Sequence, residues 1–253
     1  MGKWKKWLSA GLFTALLGTA IIAGPTADVS ANAGNKPYNI ENVSPDAHLA
    51  PSVGDSSSKT SSKAWHKIDG VCYNGSGKKV EGAITRGMDV SEWQGKINWK
   101  EAKKDLDFAF VRISYGTRHL DDYYAYNMTE AEAADVPVGT YVYSLAKTNK
   151  EALAEAQLAI RQMQGHKVSY PVAFDLEDEA TLGTLTRKEI SQIALTFCDE
   201  IRKAGYTPIL YMNLNWYNNF VDWNVLEGSG LDVWIASYGD TILAPSASKY
   251  KYT

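Results

Sequence analysis

The segment YPVAFDLEDEA, residues 170–180, sets two carboxylic acids, Asp175 and Glu177, at the end of an apolar run. Buried carboxylates are costly unless paired or hydrogen-bonded. Acids so placed are therefore either a strand end meeting solvent or groups positioned for chemistry. On a strand, residues i and i+2 project to one face. Asp175 and Glu177 are thus expected to point together, with Phe174, Leu176 and Asp178 on the other side. Two like charges at close range push one pKa up and leave the other group ionised. A proton donor beside an anion is what cleavage of a glycosidic bond requires. A third acid, Asp89, ends an earlier apolar run, ITRGMDVS. The plain alternative for any one of these acids is a helix cap or a solvated loop position. Three carboxylates could also hold magnesium or calcium. No calcium-loop pattern occurs, and no histidine joins the cluster for zinc, so no metal and no cofactor is expected.

These acids need elements to carry them, and the chain alternates strand and helix patterns from residue 84 onward. ITRGMDVS, FAFVRISYG, VGTYVYSLA, PVAFDLED, TPILYMN and LDVWIASYG read as strands. WKEAKKDL, DDYYAYNMTEAEAAD, NKEALAEAQLAIRQMQG and a long segment over 190–204 read as the helices between them. Such alternation predicts a mostly parallel sheet covered by helices. Most of the strands are continuous apolar runs, as expected when both faces are buried. A closed β/α barrel and an open doubly wound sheet both fit, and no glycine-rich phosphate fingerprint follows any strand. In either fold the working residues lie at the C-terminal strand ends. Those ends carry Asp89, then Tyr115, then Tyr141 and Tyr143, then Asp175 and Glu177, then Tyr211 and Asn213, then Ser237 and Tyr238. His119 is the nearest histidine, in a loop with no evident partner.

The bulk properties suit a globular protein of 253 residues with 45% hydrophobic and 22% charged residues and a net charge of −3. With no long basic run past the N-terminus, a nucleic-acid partner is not expected. The first 33 residues read as an export signal: MGKWKKW supplies positive charge, LSAGLFTALLGTAIIAG the apolar stretch, and SANA the small residues for cleavage after Ala31 or Ala33. No stable membrane insertion is expected once the signal is removed. Residues 34–63 are polar, end in SSSKTSSK and read as a flexible linker. Residues 64–83 have the flavour of a hairpin, with a turn signal at Asn74–Gly75. Export would permit a disulfide between the two cysteines, Cys72 and Cys198, but sequence alone does not bring them together, and in its helical pattern Cys198 reads as a buried free thiol. Eight tryptophans and 15 tyrosines suit core packing, and also the apolar platforms of a carbohydrate cleft.

RGMDVSEWQGKINWKEAKK resembles the opening of the glycoside hydrolase family 25 lysozymes, the N,O-diacetylmuramidases, and YPVAFDLED, GYTPILYMN and DVWIASYG resemble later segments of that family in the same order. The resemblance runs from about residue 84 to 239. It implies an irregular TIM-like β/α barrel with a long groove, preceded by a short β decoration. It implies cleavage of the β-1,4 bond between N-acetylmuramic acid and N-acetylglucosamine in peptidoglycan. Glu177 matches the general acid, and Asp175 the carboxylate that stabilises an oxazolinium or oxocarbenium-like state. Asp89 matches the first-strand acid that positions substrate. Tyr115, Tyr143 and Tyr211 become groove-lining candidates. The implied protein is a secreted, wall-associated bacterial monomer whose partner is the glycan strand, with residues 84–253 as its catalytic domain. The family continues through a further strand with a WQY-like segment and another acid, whereas this chain stops at SASKYKYT. A barrel lacking its last strands is therefore expected, with a non-catalytic wall-binding protein as the alternative.

Overall fold

The computed structural model describes residues 66–236, apart from 74–76, 81–82 and 84. The expected signal, the linker, the Asn74–Gly75 pair and Ser237–Tyr238 lie outside the described residues. The first two strands, β1 (His66–Ile68) and β2 (Val71–Tyr73), form an antiparallel hairpin. Its turn is Asp69–Gly70, both at positive φ (48° and 81°), the Asp-Gly pair that a two-residue primed turn favours. Lys67 Nζ donates to both carboxylate oxygens of Asp107, at 2.7 and 2.9 Å, and so ties the hairpin to the main unit. Cys72 and Cys198 are both buried free thiols.

The main sheet contains β3 (Gly87–Val90), β4 (Phe108–Tyr115), β5 (His119–Leu120), β6 (Val138–Tyr143), β7 (Val168–Asp175), β8 (Pro208–Asn213) and β9 (Asp232–Ala236). Six of these are parallel in the order β3-β4-β6-β7-β8-β9, and β5 returns antiparallel on β4. Each new parallel strand is added beside the last. An open doubly wound sheet would reverse its order partway, so that alternative is excluded.

The sheet is curled into a half-barrel. Strands β4 and β9 are four steps apart, about 19 Å in a flat sheet at ~4.8 Å per step. Yet the ring centroids of Phe110 on β4 and Trp234 on β9 lie 5.0 Å apart. Only strong curvature brings them together. Phe108 stacks on Tyr170 at 4.6 Å, and Tyr211 meets Trp234 edge-on at 4.5 Å. With Ala173 and Ile209, these rings fill the space within the curve. The fit is close at Gly139, where a Cβ would lie 2.5 Å from the Pro171 carbonyl oxygen and 2.7 Å from the Phe110 ring.

Helices cover the outer face: α1 (Trp99–Ala102), α2 (Tyr124–Ala133), α3 (Asn149–Met163), α4 (Glu179–Leu182), α5 (Arg187–Lys203), α6 (Leu214–Asn219) and α7 (Trp223–Leu226). Helix α5 begins with a reciprocal capping box between Thr186 and Glu189. It buries Ile190, Ile193, Ala194, Phe197, Cys198 and Ile201, the single stripe that a 3.6-residue period produces. Helix α3 buries Ala152, Ala156 and Ala159, small residues that suit close packing, together with Met163. The largest core cluster lies between these helices and the sheet. No helix among the described residues is long and apolar enough to cross a membrane.

Candidate active site

The strand register assembles the site. Tyr115 pairs with Tyr143, Tyr143 with Asp175, Asp175 with Tyr211, and Tyr211 with Trp234. Paired residues of neighbouring strands share a face, so this row crosses the inner wall at the C-terminal end of the strands. Two acids join it there. Asp89 belongs to β3, and Glu177 lies just past the end of β7. Each of the three carboxyls is within electrostatic reach of the other two. The six residues expected from sequence are thus brought to one end of the sheet.

The strand ends at Asp175, so the alternation that was expected to turn Asp178 away stops before reaching it. Asp178 instead folds back over the tyrosines. Its Oδ2 accepts from the hydroxyls of Tyr115 (3.3 Å) and Tyr143 (3.4 Å), whose rings stack at 4.9 Å. Its Oδ1 accepts the Thr181 N–H at 2.8 Å and caps α4. Asp178 therefore fixes the phenol pair and starts a helix with one side chain.

Asn213 does similar double duty. Its Oδ1 accepts the Trp216 N–H at 3.0 Å and caps α6. That leaves its amide NH2 as the donor to Glu177. Burial first, then the charges of Asp89 and Asp178, push Glu177 up to about 7 against the pull of Asn213. Burial, then Glu177 and Asp89, push Asp175 well above the usual carboxylate range, and Arg112 opposes this. Burial pushes Asp89 up to about 6. Asp175 is 5% exposed, and its Oδ1 has no hydrogen-bond partner among the described residues. At neutral pH the trio carries fewer charges than it has carboxyls, because buried like charges cannot all ionise. No group of three or more His, Cys, Asp or Glu side chains among the described residues is arranged to hold a metal ion.

Outside the trio, Glu155 of α3 is buried, accepts from Ser144 Oγ at 2.8 Å and the Leu145 N–H at 3.0 Å, and so holds the loop that follows β6. Burial pushes it from 4.5 up to about 7. Asp89, Glu155 and Glu177 all bind protons more tightly folded than unfolded. Their contribution to stability is full below their ordinary values near 4 to 4.5 and is lost as pH rises through about 6 to 7. Thermal denaturation is therefore expected to give a higher Tm at about pH 5 than at about pH 8. Glu155→Gln should flatten that difference.

His119, expected to stand alone, lies on β5 with Nε2 at 2.8 and 3.0 Å from the two Glu92 carboxylate oxygens. Glu92 in turn pairs with Arg112, a buried cation that the sequence reading did not single out.

Residues 88–252, well over half of the chain, match the glycosyl hydrolases family 25, and the chain belongs to that family. It is similar to Lysozyme M1 of Streptomyces globisporus, 26% identical over 164 residues that make up 61% of this chain and 55% of that protein. It is also similar to protein YegX of Escherichia coli strain K12, 26% identical over 139 residues, 52% of this chain and 49% of that one. The chain spans about half the length of these curated relatives. In fold it resembles the modular autolysin LytC of Streptococcus pneumoniae, solved with a synthetic peptidoglycan ligand. The TM-score is 0.59 at 23% identity, covering 70% of this chain and 44% of that one.

Proposed function

We propose that this protein is a muramidase that hydrolyses the β-1,4 bond between N-acetylmuramic acid and N-acetylglucosamine in peptidoglycan. The observation that carries the proposal is the placement of Glu177, whose carboxyl is pushed by burial up to about 7, within electrostatic reach of Asp175, whose buried Oδ1 has no hydrogen-bond partner among the described residues. Glu177 donates its proton to the glycosidic oxygen as the bond to the anomeric carbon breaks. Positive charge then develops on the sugar ring. In the reactive protonation state Glu177 holds the proton and Asp175 is already ionised, and its carboxylate stabilises the oxocarbenium-like state or the oxazolinium formed from the neighbouring acetamido group. Water attacks the anomeric carbon, Glu177 takes its proton back, and configuration is retained. Asp89 positions substrate, and Tyr115, Tyr143 and Tyr211 line the groove. The family assignment, Lysozyme M1 and the peptidoglycan ligand bound to LytC support this chemistry.

The same proposal takes residues 1–33 as an export signal, 34–63 as a linker and 84–253 as the catalytic domain of a wall-acting, extracellular monomer. The curled sheet is then the larger part of a TIM-like barrel. The test is digestion of purified peptidoglycan by the full chain with reducing-end analysis. New muramic-acid reducing ends are expected. Binding to the wall without any product would replace the proposal with a non-catalytic wall-binding protein.

A further inference from the structure

Among the described residues two cations are buried, Arg86 and Arg112. Arg86 lies just before β3, at the end of the sheet away from the acids, where its Nη1 donates to the Asp105 carbonyl at 2.8 Å. Arg112 is different. It follows Phe108 and Phe110 along the inner face of β4, pairs in register with Tyr141 on β6, and is 3% exposed. The aromatic filling lies on one side of it and the three acids on the other. Another apolar residue would continue that filling, whereas a charge taken out of water carries a penalty of several kcal/mol unless well paired.

Its partners reach it from two other segments. Nε donates to Asp121 Oδ2 at 2.8 Å, and Nη2 lies 2.9 Å from Glu92 Oε1. The same Asp121 oxygen accepts the Glu92 N–H at 2.8 Å, and its other oxygen accepts the Tyr123 N–H at 3.0 Å. Glu92 is thus gripped by both backbone and side chain, and it begins the 3-10 turn Glu92–Gln94, three residues after Asp89. His119 closes the outer side of Glu92. The charged groups that act on Asp175 are Glu177, Asp89, Arg112 and Asp178, of which Arg112 alone is positive. Arg112 acts likewise on Tyr141, against Asp89, Asp175 and Asp121.

We propose that Arg112 is a positioning residue for the acid trio: through Glu92 it locks the exit of the first sheet strand, and its guanidinium balances the charge of the acids above it. The proposal rests on the muramidase reading for its kinetic consequence but not for its electrostatic one.

The test uses the full chain carrying Arg112→Met with Asp121→Asn, so that no buried carboxylate is stranded next to the missing cation, beside Arg112→Lys. Carboxyl carbon NMR titration, assigned with Asp175→Asn, reads Asp175 whether or not peptidoglycan is cleaved. The titration midpoint of Asp175 is expected to rise by about one pH unit in the double variant, the scale of one nearby opposite charge, and to move much less in Arg112→Lys. The acid limb of the kcat profile should rise with it, about a tenfold loss of rate per unit on that limb, with KM little changed. A double variant that folds with the wild-type Tm and leaves the Asp175 midpoint in place would overturn the proposal. If the wild type releases no product while the midpoint moves, the muramidase reading fails and the role of Arg112 stands.

Discussion

Glu177→Gln is expected to lower kcat on peptidoglycan by about 10²- to 10⁴-fold, the usual contribution of a positioned proton donor. Glutamine preserves the shape of the side chain and its contact with Asn213, but it cannot pass a proton to the leaving oxygen. Substrate binding does not need that proton, so KM should stay near its wild-type value and wall binding should persist. The leaving group offers an internal control. A glycoside with an acidic phenol as its leaving group needs little protonation, so the variant should recover most of its rate in the first step with such a substrate. Removal of a buried carboxyl has a further consequence. Glu177 is among the charges that raise Asp175, so the Asp175 titration should move down in the variant. A Glu177→Gln enzyme within tenfold of wild type on peptidoglycan would remove Glu177 from the role of acid.

Phe174→Ala is expected to destabilise the fold by about 3–5 kcal/mol, the range for truncating a buried phenylalanine. Phe174 is fully buried and stacks on Phe197 of α5 with centroids 4.1 Å apart. It is the adjacent residue to Asp175 and faces the opposite side of β7, so its packing on the helix layer anchors the strand end that presents the carboxylate. At roughly 2–4 °C per kcal/mol for a unit of this size, Tm should fall by about 10 °C. Activity measured well below the new Tm should also drop, because the anchor of Asp175 has been loosened. Chemical denaturation gives the check, and a loss below about 1 kcal/mol would mean that the α5 layer closes over the gap.

The alternation of strand and helix was legible because the strands are buried on both faces. Runs such as FAFVRISY and PVAFD therefore stand out from the amphipathic helices between them. Helices α2, α3 and α5 fall within a few residues of the segments read from sequence. The short elements β5, α4, α6 and α7 were not legible, since two to six residues hold too little periodicity to register. They matter all the same, because two of them are started by the caps Asp178 and Asn213, whose remaining polar atoms serve the site. Asp178 was assigned to the wrong side because strand alternation was carried past the last hydrogen-bonded residue. Arg112 was passed over because a single charge inside an apolar run reads as part of the strand. Its partners Glu92 and Asp121 lie 20 and nine positions away in sequence, and only the fold makes them neighbours. Asp89, Asp175 and Glu177 were legible as a group for a different reason: all three end apolar runs, and a parallel β/α sheet brings its C-terminal strand ends together.

The rings of Phe108, Phe110, Tyr170 and Trp234 fill the inside of the curled sheet. If the chain acts as the proposed muramidase, a sugar polymer is not drawn through this filled interior like thread through a needle. It has to be laid across the rim and lifted off again, with both of its ends outside the protein throughout. No free terminus is then required for a cut, and every internal linkage of a strand is as accessible as the last one. Digestion by such an enzyme would halve long strands early instead of nibbling disaccharides from their tips. A cross-linked mesh with few loose ends would lose its tensile strength after few cuts.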